Sequence, residues 1–341
     1  MYQLKKKYTA IRQYWLDEKS HVITESSSSF HFGKQGVDIR FDSRYPTIRY
    51  IKDLIGIYSY PNLFFLNADT LEQEAEISFN GMHIEKVYDD YYICIAGNDD
   101  ELISICILDK SSNILHQTPA LPIWRAFFYD KKIVYTVERS PTALYCFSIE
   151  LGKELWHVNL KELFQNEDAY LSGNVIFFDS NVLFCIMNSY GDLYTSYVLD
   201  IDTGALLHKI DLFSNLAVYE GKIYHMRMQE LKCYDLLTKE STSWDLSPSL
   251  SALNLTILGS IIIRDNQIFF SAVTGPNSLI LSYVGIISLS THELEWATEL
   301  LEDYSMPSTI DNRYSIISMQ VNNSTLAIHC AGNTLFHFSK D

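Results

Sequence analysis

Phe127-Phe128-Tyr129-Asp130-Lys131-Lys132-Ile133-Val134-Tyr135 sets one apolar run on each side of a short polar turn. Ile262-Ile263-Arg264-Asp265-Asn266-Gln267-Ile268-Phe269-Phe270 repeats the arrangement, and Tyr14-Trp15-Leu16-Asp17-Glu18-Lys19-Ser20-His21-Val22-Ile23 has it near the start. Asp, Asn and Gly suit such turns because they tolerate left-handed backbone angles and hydrogen-bond their own turn. Turns of this kind fall at Asp17-Glu18, Lys52-Asp53, Asp89-Asp90, Asp130-Lys131, Asp179-Ser180-Asn181, Glu220-Gly221, Asp265-Asn266 and Asn322-Asn323.

A spacing of about 40 residues between strand pairs predicts an all-β chain, a β-propeller of four-stranded antiparallel blades. The repeat runs end to end, so residues 1–341 read as one domain. Eight blades is the favoured count. Seven is the alternative, with Thr9–Trp15 as the closing strand and His21–Phe41 as an inserted hairpin. The last unit offers three strands, Tyr314–Gln320, Ser324–Cys330 and Thr334–Phe338. The N-terminal strand Tyr2–Lys6 is expected to supply the fourth, sealing the ring and removing exposed edges. No helix is required, and Lys161–Asp168 reads as one or two short turns.

A second turn falls between the third and fourth strands of a blade. It reads Asp69-Thr70-Leu71-Glu72, Asp109-Lys110-Ser111-Ser112-Asn113, Glu150-Leu151-Gly152-Lys153, Asp200-Ile201-Asp202-Thr203-Gly204, Asp235-Leu236-Leu237-Thr238-Lys239 and Ser288-Leu289-Ser290-Thr291-His292. Trp156, Trp244 and Trp296 follow three of these turns, where a large ring would fill the wedge between neighbouring sheets. An apolar strand, Asp-x-x-Thr-Gly and a following Trp resembles the quinoprotein-type (PQQ-like) propeller repeat. Leu199–Leu207 and Cys146–Trp156 are its best copies. The resemblance covers most of the chain in incomplete copies and implies the fold. Dehydrogenases of that family carry a vicinal Cys-Cys pair and a calcium site over the quinone. This chain has no adjacent cysteines, so no cofactor is expected. The outer-membrane assembly lipoprotein with the same blades is a non-enzymatic precedent. The Gly-His and Trp-Asp marks of WD repeats are missing, apart from a lone Trp244-Asp245.

Bulk properties narrow the function. The 23 Tyr and 18 Phe lean the chain towards β structure. A formal net charge of −16 repels phosphate backbones, so no nucleic-acid role is expected, and basic proteins become the natural partners. Cys94, Cys106, Cys146, Cys185, Cys233 and Cys330 form no C-x-x-C pair and sit in apolar runs. They read as buried free thiols of a cytoplasmic protein. Met1–Tyr8 is basic with no apolar stretch after it, so neither a signal peptide nor a membrane partner is expected.

Motifs for chemistry are missing. There is no H-x-H, H-E-x-x-H, nucleophile elbow, Walker loop or dinucleotide fingerprint. Asp89-Asp90, Asp99-Asp100-Glu101 and Glu302-Asp303 lack calcium-loop spacing. No catalytic, cofactor or metal residue is therefore assigned. Varied loops gather between the second and third strands of each blade and between blades, and such loops on a rigid scaffold carry binding. The expected role is non-enzymatic protein binding through that face, with Asp99, Asp100, Glu101, Trp124, Arg139, Tyr190 and Tyr304 as contact candidates. An inhibitor or immunity-type partner of a basic protein is one form of it. The alternative is an enzyme or carbohydrate-binding protein with an axial pocket assembled from several blades.

Overall fold

The structure, a computed structural model, describes residues 2–8, 11, 13–16, 22–25, 29–32, 37–40, 47–51, 54–59, 62–67, 69–78, 82–88, 90–97, 103–138, 141–191, 193–212, 215–275, 280–300, 315–322 and 324–340. The chain falls into two compact units, residues 41–213 and residues 1–40 with 214–341. Among the described residues each unit holds four four-stranded antiparallel sheets.

In residues 41–213 the strands run in sequence order within every sheet. Sheet B is Thr47–Ile51, Leu54–Ser59, Asn62–Asn67 and Gln73–Ser78. Sheet C is His83–Val87, Tyr91–Gly97, Ile103–Asp109 and Ile114–Gln117. Sheet D is Arg125–Tyr129, Lys132–Thr136, Ala143–Ser148 and Lys153–Asn159. Sheet E is Tyr170–Phe178, Asn181–Met187, Tyr194–Asp200 and Leu206–Ile210.

In the other unit, sheet A is Gln13–Leu16, Val22–Glu25, Ser29–Phe32 and Val37–Arg40. Sheet F is Leu216–Tyr219, Lys222–Arg227, Glu230–Asp235 and Ser241–Asp245. Sheet G is Leu255–Arg264, Gln267–Thr274, Tyr283–Ser288 and Leu294–Glu299. Sheet H joins Ile316–Asn322, Thr325–Cys330 and Thr334–Lys340 to Tyr2–Tyr8 from the N-terminus. Tyr2 pairs with Lys340 and Tyr8 with Leu335, so the terminal strand runs past Lys6. Asn322, expected in a turn, is instead the last residue of its strand and pairs with Thr325.

The sequence alternation explains the packing. Successive residues of a strand point to opposite faces, and the middle strands here are apolar on both. Phe270 faces sheet F while Phe269 faces sheet H. Cys94 lies in the core between sheets B and C, and Ile93 in the core between C and D. Further cores fill the D–E and H–A boundaries. Each fully buried Ile, Leu or Phe stabilises by about 1.5–3 kcal/mol over the exposed state. Outer strands are polar instead. Gln73–Ser78 carries Glu74 and Glu76, and Tyr2–Tyr8 carries Lys5, Lys6 and Lys7, which discourages pairing with a foreign edge.

One edge of the sheets is built from repeated turns. First-to-second-strand turns use paired left-handed residues, Asp179 (φ 43°) with Ser180 (φ 62°) and Asp265 (φ 48°) with Asn266 (φ 59°), the backbone that matches strand twist. In the third-to-fourth-strand turns one side chain caps two backbone N–H groups. Asn67 Oδ1 accepts from Asp69 and Thr70, Asp200 Oδ1 from Asp202 and Thr203, and Asp235 Oδ1 from Leu237 and Thr238. A left-handed residue then closes the turn: Leu71, Ser112, Gly152, Gly204, Lys239 or His292. The two turns of a sheet are bonded together, Ile149 N–H to the Lys131 carbonyl and Ile201 N–H to the Ser180 carbonyl. Neighbouring sheets are tied on the same edge by Lys132–Asp202 at 3.0 Å and by Tyr91 Oη donating to Asp130 at 2.8 Å.

Among the described residues two short helices punctuate the strands. Helix α1 spans Leu160–Phe164, overlapping the stretch Lys161–Asp168 expected to turn once or twice. Helix α2 spans Ser247–Leu250 and passes into a 3-10 turn at Ser251–Leu253. It was not foreseen, although Pro248 has the fixed φ that opens a helix. Leu246 and Leu250 anchor it in the F–G core.

Candidate partner-binding site

The opposite edge of sheets D and E is irregular, and three of its segments meet. The first is the turn between the second and third strands of sheet D, ending at Pro141-Thr142. The second is the connection from sheet D to sheet E, residues 160–169. The third is the corresponding turn of sheet E, which begins at Asn188.

The connection is held in one shape by its own sequence. Asn159 caps α1, its Oδ1 accepting from Lys161 N–H at 3.0 Å and Glu162 N–H at 3.4 Å, while its Nδ2 donates to Glu162 Oε1 at 3.0 Å. Gln165 ends the helix in a left-handed conformation, φ 59°. Asn166 Oδ1 accepts from Asp168 N–H at 2.8 Å. Leu160 N–H donates to the Thr142 carbonyl and Leu171 N–H to the Pro141 carbonyl, which fastens both ends of the connection to sheet D. Tyr197 Oη donates to the Leu163 carbonyl at 3.2 Å, which fastens α1 to sheet E. Leu160 and Ala169 are buried in the D–E core.

The turn of sheet E is folded around Asn188. This side chain is buried, and its Oδ1 accepts from Leu193 N–H at 3.2 Å. Gly191 at φ 72° supplies the left-handed step. The turn therefore presents Tyr190 outward, 84% exposed.

Between the three segments lies an open cleft of about 370 Å³, lined by Thr142, Lys161, Glu167, Asp168, Ala169, Tyr170 and Ser189. Lys161 Nζ is 3.9 Å from Glu167 Oε2, and Thr142 Oγ1 donates to Glu138 at 3.4 Å. Two carboxylates and one ammonium leave the lining net negative. Among the described residues no group of three His, Cys, Asp or Glu could hold a metal ion.

No family model and no curated protein sequence matches the chain. Solved structures do. The computationally designed Ika8 protein is 12% identical, covers 97% of this chain and 96% of its own, and superposes with a TM-score of 0.59. BamB from Moraxella catarrhalis, a propeller of PQQ-like repeats, is 12% identical over 100% of both chains, with a TM-score of 0.58. Kluyveromyces lactis Hsv2 with its complete loop 6CD is 12% identical over 86% of this chain and 100% of its own, at 0.50. At this identity the likeness shows the fold. The chain is a β-propeller.

Two of the contact residues read from the propeller's sequence fall on the irregular edge. Tyr190 adjoins the cleft residue Ser189. Trp124, 58% exposed, enters sheet D with its N–H on the Thr136 carbonyl at 2.7 Å, at the end of the sheet where the Thr142 turn lies. Asp99, Asp100, Glu101, Arg139 and Tyr304 lie outside the described residues. Sequence reasoning placed binding on the loops between the second and third strands and between blades but singled out neither Asp168, Tyr170 nor Ser189. Each is an ordinary loop residue alone, and only the meeting of three segments makes a cleft of them.

Proposed function

We propose that this propeller is a protein-binding scaffold whose partner docks on the irregular edge of sheets D and E. One observation carries the reading: Tyr190 stands 84% exposed on a turn fixed by the buried Asn188, beside a cleft. The fixed turn has already lost backbone freedom that binding would remove, and exposed aromatic side chains of this kind anchor protein interfaces. Trp124 is a second such anchor on sheet D.

The net charge of −16 favours a basic partner, and an inhibitor or immunity-type role is a specific form of that. The proposal includes quinoprotein-type repeats, and in its support Trp156 docks on the turn holding Gly204. Six buried free thiols favour a reducing compartment such as the cytoplasm.

Affinity capture from the native host tests the reading, with wild type, Tyr190→Ala and Trp124→Ala/Tyr190→Ala as baits. A stoichiometric partner held by wild type and lost by the double variant is expected. Recovery of no stoichiometric partner, or equal recovery on the double variant, overturns it.

A further inference from the structure

We infer that the cleft between sheets D and E receives an arginine side chain of the partner. This rests on the docking edge proposed above and names the chemistry of what enters it.

Three polar side chains of the cleft have no hydrogen-bond or ion-pair partner among the described residues: the Asp168 carboxylate, the Tyr170 hydroxyl and the Ser189 hydroxyl. The other polar groups are engaged. Thr142 donates to Glu138, and Lys161 faces Glu167 at 3.9 Å. Lys161 and Glu167 offset one another, which leaves the charge of Asp168 uncompensated at the cleft. The Asp168 backbone is also held in place, with the side chain exposed. Its N–H is bonded to Asn166, and the next residue, Ala169, is 1% exposed in the D–E core. A cation is the complement of this arrangement, and an anion would face both Glu167 and Asp168.

Arginine fits the chemistry better than lysine. A guanidinium forms two parallel bonds to one carboxylate and keeps further N–H donors for the oxygens of Ser189 and Tyr170. Its flat face can stack on a phenol ring, and the cleft offers Tyr170 inside with Tyr190 at its margin. An ammonium has three donors and no plane. The volume of about 370 Å³ is ample for one side chain with its bridging waters.

The probe is a blocked glycine peptide carrying one central arginine, titrated into the full chain by NMR or calorimetry. Lysine, citrulline and glutamate versions are the comparisons. Saturable binding of the arginine peptide at a concentration on the order of millimolar is expected. Citrulline, which keeps the shape without the charge, should bind about tenfold or more weaker, as should arginine with Asp168→Asn, each having lost a charge-assisted hydrogen bond. Tyr170→Phe/Ser189→Ala leaves every charge in place and should weaken binding several-fold; it is decisive if Asp168→Asn does not fold. Absence of saturable arginine binding, equal binding of citrulline, lysine or glutamate, or unchanged affinity of a folded variant overturns the inference. If the arginine peptide fails while Tyr190→Ala still loses a captured partner, the docking edge stands and only the arginine assignment falls.

Discussion

Trp156 Nε1 donates to the Ile201 carbonyl at 2.9 Å, from the last strand of sheet D to the third-to-fourth-strand turn of sheet E. The ring is 8% exposed and lies against Gly204, where a β-carbon would stand 2.6 Å from Trp156 Cγ. The turn at which sheet E reverses is thus also the socket for sheet D. The equivalent turn of sheet G has His292 at φ 60° in place of Gly204 at φ 69°. There the neighbouring Trp244 meets the imidazole, ring centres 4.5 Å apart. A second ring takes over a contact that the glycine of sheet E leaves to the backbone.

Gly204→Ala is expected to lower stability by about 2–3 kcal/mol, from overlap with Trp156 added to the cost of a left-handed alanine. Gly152→Ala is the control. Its φ is 63°, but nothing lies within 4 Å of the new methyl, so only the backbone cost of about 1 kcal/mol applies. Urea unfolding of both variants measures the difference. Equal shifts would show that Trp156 moves aside freely and that the socket is loose.

Trp156→Phe keeps most of the apolar contact and removes the indole N–H. The Ile201 carbonyl is then left with only the weak Cys146 Sγ donor, 3.7 Å away, at a site that water reaches poorly. A loss of about 1–3 kcal/mol is expected, the cost of a poorly satisfied buried acceptor. A variant as stable as wild type would mean that solvent replaces the bond.

Acid should weaken the turn edge. Hydrogen bonds hold three turn carboxyls below the usual range: Asp109 chiefly by the Asn113 side chain, Asp200 by the Thr203 hydroxyl and Asp235 by the Thr238 N–H. A carboxyl whose folded value is depressed contributes stability that is complete above the unfolded value of about 3.9. That contribution is lost as the pH falls through the folded value. Unfolding midpoints should therefore drop below about pH 4, and Asp109→Asn/Asp200→Asn/Asp235→Asn should flatten the drop while keeping an acceptor in each turn. An unaltered acid limb in the triple variant counts against these turns as its origin.

The turns and strand pairs were legible in the sequence because they depend on short-range chemistry. Asp179-Ser180 and Asp265-Asn266 announce a hairpin wherever they stand, and Asp200 caps a turn two and three residues away. The role of Trp156 as a wedge followed from its place on an outer strand, but its bond to Ile201 crosses 45 residues and has no local mark. Helix α2 was hidden for another reason. Ser247-Pro248-Ser249-Leu250 has too few residues for a helical period, and only burial of Leu246 and Leu250 reveals it. The cleft was the least legible feature. Thr142, Asp168 and Ser189 come from three separate segments, two of which are shaped by Asn159 with Gln165 and by Asn188.

The thiols give a test that reads the whole core at once. Cys94, Cys106, Cys146, Cys185, Cys233 and Cys330 are all free and buried, and no disulfide joins them. Cys94 and Cys106 stand directly opposite one another on neighbouring strands of sheet C. Burial pushes the thiols of Cys94, Cys146 and Cys330 up to about 12, so almost none is thiolate at neutral pH. Because the thiolate is the reactive species, the native protein should titrate close to zero cysteines with a thiol-specific disulfide reagent and all six in strong denaturant. A rapid native reaction of one or more thiols would show that the boundary between two sheets opens far more readily than these packed cores allow.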